Sequence, residues 1–214
     1  MQGGSTRFSE LANELAAVGR LFYARGWALG TSGNFSAVTS REPLRLAITA
    51  SGVDKGLLAA EHILEIDGAA QAVAGAGRPS AETLLHLSVV RLRGAGAVLH
   101  THSIWSNIVS GAGGGGVALE GHEMLKGLDG VATHEHREWL PVIDNSQDMP
   151  RLAQAVEQAL RAHPQAHGFL LRRHGLYTWG RDLAEAKRHV EILEYLLEVT
   201  GRTAEDCYGH RKHT

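Results

Sequence analysis

The sequence predicts an α/β fold in which helices cover a mixed or antiparallel sheet. Apolar residues recur at three- and four-residue intervals near both ends of the chain, which is typical of amphipathic helices. Between them lie short apolar stretches separated by glycine, serine and proline, which indicate brief strands. The two kinds of element interleave without the regular long alternation of a doubly wound sheet. We therefore expect a single domain over residues 1–214, with a polar tail from about residue 202.

The first half of the chain is predicted to contain two helices with strands between them. The first helix ends at Gly26, and its apolar stripe consists of Phe8, Leu11, Leu15, Val18 and Phe22. Brief strands are expected at 34–38 and 44–49. A second helix is predicted to begin at Ser80, whose hydroxyl is a suitable cap, and to end at Gly94.

The second half continues the same interleaving. The expected elements are a buried strand at 96–102, a flexible loop at 111–116, a strand at 139–143, a helix at 151–162 and paired strands at 168–171 and 176–179. Asp182 and Glu185 form a capping-box-like start for a last helix, which we expect to end at Gly201.

The composition excludes several classes of function. There are 21 lysines and arginines against 23 aspartates and glutamates, so no excess of positive charge is available to neutralise nucleic-acid phosphates. Cys207 is the single cysteine, which rules out an intrachain disulfide. We see no signal peptide and no apolar run near the roughly 18 residues that span a bilayer. We therefore expect a soluble, cytoplasmic protein that binds neither nucleic acid nor membrane.

Histidines provide the clearest candidate for chemistry. His100 and His102 stand two residues apart at the end of a predicted strand, so their side chains share one face and can share a metal ion. Catalytic zinc takes three protein ligands, and His174, in a turn between two strands, is the natural third. An isolated pair at this spacing is more often coincidental. His134 and His136 have the same spacing, but they lie in a charged stretch and are expected at a solvated or substrate-facing rim rather than at the metal site.

Three short turns are candidates for holding an anion. They combine small hydroxyl side chains with glycine or a helix start, so backbone N–H groups can point at a phosphate. Each alone is more simply an ordinary turn, and none matches a nucleotide-binding fingerprint. The candidate binding residues in these turns are Gly33, Asn34, Ser51, Gly52, Ser80 and Glu82.

Two carboxylates, Glu82 and Glu123, are candidates for proton transfer, although each taken alone is more simply a surface helix residue. Cys207 has no histidine or other base near it in the sequence, so nucleophilic catalysis by a thiol is not expected.

Together these motifs resemble the class II aldolase/adducin family in order and approximate spacing, from about Leu11 to Gly201. The resemblance implies a three-layer α/β/α fold around a central sheet, and a cyclic homotetramer with active sites between subunits. It implies one zinc ion per subunit, held by His100, His102 and His174. It also makes the three turns a cradle for the phosphate of a small sugar phosphate.

The segments at 123–127 and 172–175 are similar to those of the family's dehydratases. This similarity implies dehydration of 5-methylthioribulose 1-phosphate in methionine salvage. In the family's aldolases the residue at the Glu82 position is the acid/base, and in its dehydratases the residue at the Glu123 position takes that role. This chain has both, and we favour Glu123, with Glu82 in support.

Two other functions are weighed against this one. The first is a class II aldolase or epimerase that acts on another sugar phosphate through the same zinc-stabilised enediolate. The second is a non-catalytic interaction module like the adducin heads. The second predicts loss of the metal ligands, whereas all three histidines are present.

Overall fold

The computed structural model describes residues 3–209 of the chain, and side chains for residues 6–203. The helices are α1 (Gly3–Ala24), α2 (Thr83–Arg93), α3 (Ile104–Gly111), α4 (Met149–Ala162) and α5 (Leu183–Gly209). The strands are β1 (Asn34–Arg41), β2 (Leu44–Thr49), β3 (Ile63–Asp67), β4 (Ala72–Ala74), β5 (Ala97–Thr101), β6 (Gly116–Glu120), β7 (Arg137–Ile143), β8 (Gly168–Leu171) and β9 (Gly175–Gly180). Short 3-10 helices lie at Lys55–Leu57, Ala60–His62 and Glu123–Gly127.

The strands of the described chain form one sheet in the order β4-β3-β2-β1-β5-β9-β8-β7-β6. Only the pairing of β7 with β8 is parallel, and every other neighbouring pair is antiparallel. The prediction of a mixed, mostly antiparallel sheet is confirmed. Helix α3 and strands β3, β4 and β6 were not predicted from the sequence.

Helices cover both faces of the sheet, which gives three layers. On one face, α2 and α4 pack against inward-pointing strand residues such as Val98. On the other face, α1 and the start of α5 pack around Leu99, and α3 joins α5 against the far half of the sheet. Successive residues of a strand point to opposite faces, so Val98 and Leu99 of β5 belong to different cores. The predicted α/β/α layering is confirmed.

The pairing of β5 with β9 brings distant parts of the sequence together. His100 lies opposite Tyr177, and Thr101 lies opposite Leu176. Because these strands are antiparallel, the residues just after β5 meet the residues just before β9 at one end of the sheet. The candidate site lies at that end.

Two predicted helix boundaries are wrong. Helix α5 passes through Gly201 and ends at Gly209, because Gly201 serves packing rather than termination: a Cβ there would overlap the ring of Trp105 on α3. Helix α2 begins at Thr83 and not at Ser80, whose hydroxyl accepts the backbone N–H of Glu82 before the helix starts. The side chain of Cys207 lies outside the described residues.

Among the described helices, none is both long and apolar enough to cross a bilayer.

Candidate functional site

Three histidine side chains converge where β5 ends. Nε2 of His100 lies 2.8 Å from Nε2 of His102 and 3.4 Å from Nε2 of His174. The third distance, between His102 and His174, is 3.1 Å. His100 is the penultimate residue of β5, His102 follows the strand, and His174 lies in the turn between β8 and β9. The structure thus brings together the three residues that were predicted from the sequence as metal ligands.

The protonation of these rings favours a cation between them. Nδ1 of His100 donates to the carbonyl oxygen of Leu176 at 2.9 Å, so its Nε2 presents a lone pair when the ring is neutral. Burial, together with the neighbouring His102 and His174, lowers the pKa of His100 well below its usual value. Burial likewise lowers the pKa of His102 to about 4. Neutral imidazole nitrogens at this separation repel one another unless a cation lies between them, so the donor set fits a divalent metal.

The turn that carries His174 is held in an unusual backbone conformation. Arg173 has a φ of 52°, which is uncommon for a residue with a side chain. Its backbone N–H donates to the hydroxyl of Ser110, and Asn107 donates to the carbonyl of His174 at 2.9 Å. A Cβ at Gly175 would overlap the carbonyl oxygen of Thr101, so this position requires glycine. Helix α3 and strand β5 therefore fix the position of the turn.

A carboxylate completes the histidine cluster. Oε1 of Glu82 lies 3.3 Å from Nε2 of His174, and Oε2 lies 3.5 Å from Nε2 of His100. The amide nitrogen of Asn34 donates to Oε2 at 2.6 Å. Three imidazole nitrogens and one carboxylate form a donor set that suits a divalent cation.

A buried chain of hydrogen bonds orients Asn34. The hydroxyl of Ser36 lies 2.7 Å from Nδ1 of His86, whose Nε2 contacts the amide oxygen of Asn34. Burial lowers the pKa of His86 to about 3, so the ring is neutral. Its single proton then lies on Nε2, which donates to Asn34, while Nδ1 accepts from Ser36. This arrangement directs the amide NH₂ of Asn34 towards Glu82.

The three predicted anion-holding turns meet in one cavity of about 160 Å³ beside His102. All six residues predicted to bind substrate line it, namely Gly33, Asn34, Ser51, Gly52, Ser80 and Glu82. The cavity therefore joins the turns and the histidine cluster in one continuous site.

The same cavity contains a lysine that was not predicted from the sequence. Lys55 is 1% exposed, and its ammonium group donates to the carbonyl oxygens of Thr31 and Val53 at 3.1 and 3.0 Å. Burial lowers its pKa to about 8, although Asp54 opposes this effect. Its position shortly after the Ser51–Gly52 turn could have indicated that Lys55 lies near the site. Nothing in the local sequence, however, indicates that a lysine is buried.

Glu123 lies outside this cluster within the chain. Its side chain is exposed, and its carboxylate contacts Lys126 at 2.5 Å and His134 at 3.8 Å. The hydrogen bond and charge of Lys126 lower the pKa of Glu123, so the carboxylate stays ionised. His134 and His136 diverge, with His134 near Glu123 and His136 bonded to Glu138 at 3.0 Å.

Comparisons with known proteins agree with this geometry. A methylthioribulose-1-phosphate dehydratase of Methylococcus capsulatus is 46% identical over 198 residues, which cover 92% of this chain and 96% of the relative. The enzyme of the same name from Marinobacter nauticus is 43% identical over 196 residues, with coverage of 90% and 93%. The structure of an L-fuculose-1-phosphate aldolase from Thermus thermophilus matches with a TM-score of 0.70 at 26% identity, covering 94% of this chain and 96% of that one.

The family model for the class II aldolase and adducin N-terminal domain matches residues 13–200, which include the three histidines, both candidate glutamates and all three turns. This chain therefore belongs to the class II aldolase and adducin N-terminal domain family.

Proposed function

We propose that this chain is a methylthioribulose-1-phosphate dehydratase, a hydro-lyase of methionine salvage. It converts 5-methylthioribulose 1-phosphate into 2,3-diketo-5-methylthiopentyl 1-phosphate and water. The observation that carries the proposal is the cluster of His100, His102 and His174 beside a cavity lined by the three turns that were predicted to hold an anion. Relatives that carry this name and are 40–46% identical over most of their length support the choice of substrate.

The metal in this proposal is zinc, with one ion in each subunit. Three imidazoles with a further position open to substrate form a ligand set typical of catalytic zinc. When bound there, the ion supplies Lewis acidity to a carbonyl oxygen of the substrate. The side chain of Glu82, fixed by Asn34, supports the cluster on the side of the cavity.

The phosphate of the substrate binds in the cavity formed by the turns. Gly33 and Gly52 have positive φ angles, and such turns direct backbone N–H groups at an anion. The side chains of Asn34, Ser51 and Ser80 add polar groups, and the ammonium group of Lys55 adds positive charge. With the phosphate held there, the ketose carbon atoms extend towards the histidine cluster.

Glu123 is the acid/base in the proposed reaction. The proton on C3 of the substrate is acidic because C3 adjoins the C2 carbonyl, and the ionised carboxylate of Glu123 removes it. The same carboxyl group then protonates the departing C4 hydroxyl, which leaves as water. The remaining enol tautomerises to the 2,3-diketone.

This role requires Glu123 to act in the site of a second copy, since its exposed side chain contacts none of the histidine cluster of its own chain. The assembly we propose is a cytoplasmic homotetramer with active sites between subunits. Its sites combine the histidines of one subunit with Glu123 of a neighbour.

Subunit mixing tests this arrangement. H174A and E123Q subunits are each expected to be inactive, but unfolding and refolding them together rebuilds some sites with both residues intact. When equal amounts assemble at random, half of the histidine clusters are intact and half of the neighbouring subunits carry Glu123. About a quarter of wild-type activity is therefore expected. If mixing restores no activity while both variants still form tetramers, the active site does not combine the histidines of one subunit with Glu123 of another.

A class II sugar-phosphate aldolase is the second candidate. The position of Glu82 against His100 and His174 favours it, because Glu82 occupies the acid/base position of the aldolases that the sequence resembles. An aldolase breaks a carbon–carbon bond where the dehydratase loses water. Products from fuculose and ribulose phosphates, compared with those from the methylthio substrate, distinguish the two activities.

A further inference from the structure

A second cluster of metal-ligating side chains lies away from the site described above. Glu138 on β7 is 1% exposed, and its Oε2 lies 3.0 Å from Nε2 of His136 and 2.9 Å from Nδ1 of His167. Its Oε1 accepts the backbone N–H of His167 at 2.8 Å. In the part of the chain that the structure describes, no lysine or arginine pairs with Glu138. The charge of this buried carboxylate is therefore compensated only through the two imidazoles.

The hydrogen bonds of His167 show that a positive species is needed between the rings and Glu138. Nε2 of His167 lies 2.8 Å from the carbonyl oxygen of Asp129, which only accepts, so Nε2 carries a proton. In a neutral ring Nδ1 is then a bare lone pair facing a carboxylate oxygen at 2.9 Å. Two acceptors at this distance repel each other. Either a second proton on His167 or a metal ion removes the repulsion.

The arrangement has the features of a zinc site. Two imidazoles and one carboxylate are zinc ligands, and the bond from His167 to the Asp129 carbonyl is the outer contact that usually fixes the tautomer of a ligating histidine. The donor separations of 2.9 and 3.0 Å fall within the 2.8–3.4 Å range of the three-histidine cluster. We propose that His136, Glu138 and His167 form a second divalent-cation site of the zinc class.

This second site lies at the other end of the sheet from the three-histidine cluster. His136 and His167 line a cavity of about 580 Å³ together with Trp179 and Gly180 at the end of β9, whereas His174 precedes the start of that strand. Arg93, Arg181 and Glu185 line the same cavity. The remaining coordination position therefore opens onto a space that suits water or a small anion as the fourth ligand.

The cation would also anchor the segment that carries Glu123. The carbonyl of Asp129 bonds to His167, and its backbone N–H donates to Nε2 of His189 at 3.1 Å. Asp129 follows the 3-10 helix Glu123–Gly127 closely in sequence. A metal ion at His167 would therefore stiffen the attachment of this helix to β7 and α5.

Zinc stoichiometry tests the proposal. Metal-free protein is saturated with Zn²⁺, freed of excess by gel filtration and analysed for zinc per chain. We expect two zinc ions in the wild type, one in H136A, one in H174A and none in H136A/H174A. The matched control H134A, which removes an exposed histidine from the same stretch, keeps two. Because the His136 side chain is 29% exposed, its removal leaves the core intact.

One zinc ion per wild-type chain would overturn the proposal and assign the positive charge to a second proton on His167. Two zinc ions in H136A would overturn it by showing that the second ion binds elsewhere. The outcome is independent of the proposed dehydratase activity. Product analysis can fail while both zinc ions remain bound, so failure of the dehydratase proposal and failure of the second site give different results.

Discussion

Oε1 of Glu82 lies 3.3 Å from Nε2 of His174, although one residue precedes α2 and the other lies in the turn before β9. This contact joins the half of the chain that supplies the turns to the half that supplies the last histidine. It places a carboxylate at the boundary between the histidine cluster and the cavity. The site therefore depends on the pairing of β5 with both β1 and β9.

Replacing His174 tests the metal ligands. H174A is expected to lose one equivalent of bound zinc to a competing chelator, because removal of one of the three imidazoles weakens binding at that site. H134A is the control, since His134 is exposed and contacts only Glu123 among the site candidates. Metal analysis after dialysis against a weak chelator measures both. Loss of zinc from H134A would show that the ligands were assigned wrongly.

Replacing Glu123 tests the acid/base assignment. E123Q is expected to keep its zinc and its unfolding midpoint, because the side chain is exposed, while kcat falls by about 10²–10⁴-fold. E120Q is the control, because Glu120 is also exposed and pairs with Arg137. This variant is expected to retain activity. Steady-state kinetics and urea unfolding measure the two effects. Turnover at the wild-type rate in E123Q would transfer the role to Glu82.

Alanine substitutions at two glycines of one loop distinguish the cost of backbone strain from the effect of distorting the site. Gly30 and Gly33 have φ angles of 60° and 75°, so alanine at either costs about 1–2 kcal/mol. At Gly33 the new Cβ would also lie 2.8 Å from the carbonyl oxygen of His100, whereas at Gly30 nothing lies within 4 Å. We expect G33A to be less stable than G30A and to bind zinc more weakly. Equal urea midpoints and zinc affinities would contradict this account of the loop.

Stability is expected to vary with pH through Glu194 on α5. Burial raises the pKa of this carboxyl from 4.5 to about 7, and nearby Glu198 adds to the effect. The folded state therefore binds more protons than the unfolded state between these values, and stability falls as pH rises from about 4.5 through about 7. The loss is on the order of 3 kcal/mol.

E194Q removes this titration. Relative to wild type, E194Q should gain about 2–3 kcal/mol of unfolding free energy between pH 5 and pH 8. The control E191Q changes a half-buried glutamate on the same helix, which pairs with Arg25, and should follow the wild type. Urea unfolding at both pH values makes the measurement. If the unfolding free energies of E194Q and wild type differ by the same amount at pH 5 and pH 8, Glu194 does not titrate in this range.

Much of the fold could be predicted because its strongest elements bury one face in a regular pattern. Alternation along β5 placed His100 and His102 on one side, and the turn before β9 supplied His174. Among the missed elements, β4 and α3 are short and leave apolar side chains exposed. All three residues of β4 are exposed, and α3 presents Ile104 and Ile108 outward.

The remaining features of the site depend on tertiary contacts that local sequence does not encode. Lys55 is buried because two loops close over it, and His86 is neutral because α2 packs it against β1. Gly201 has the expected residue type for a helix end, yet it accommodates Trp105 within the helix. In each case a neighbour far away in the sequence determines what the residue does.

Product analysis with 5-methylthioribulose 1-phosphate tests the central claim most directly. Three samples are incubated with the substrate, and the products are followed by NMR. The first is zinc-loaded protein, the second is metal-stripped protein, and the third is stripped protein to which zinc has been returned. We predict one diketone phosphate per substrate consumed in the first and third samples, and no turnover in the second. Release of carbon–carbon cleavage fragments, or diketone formation without metal, would contradict the account.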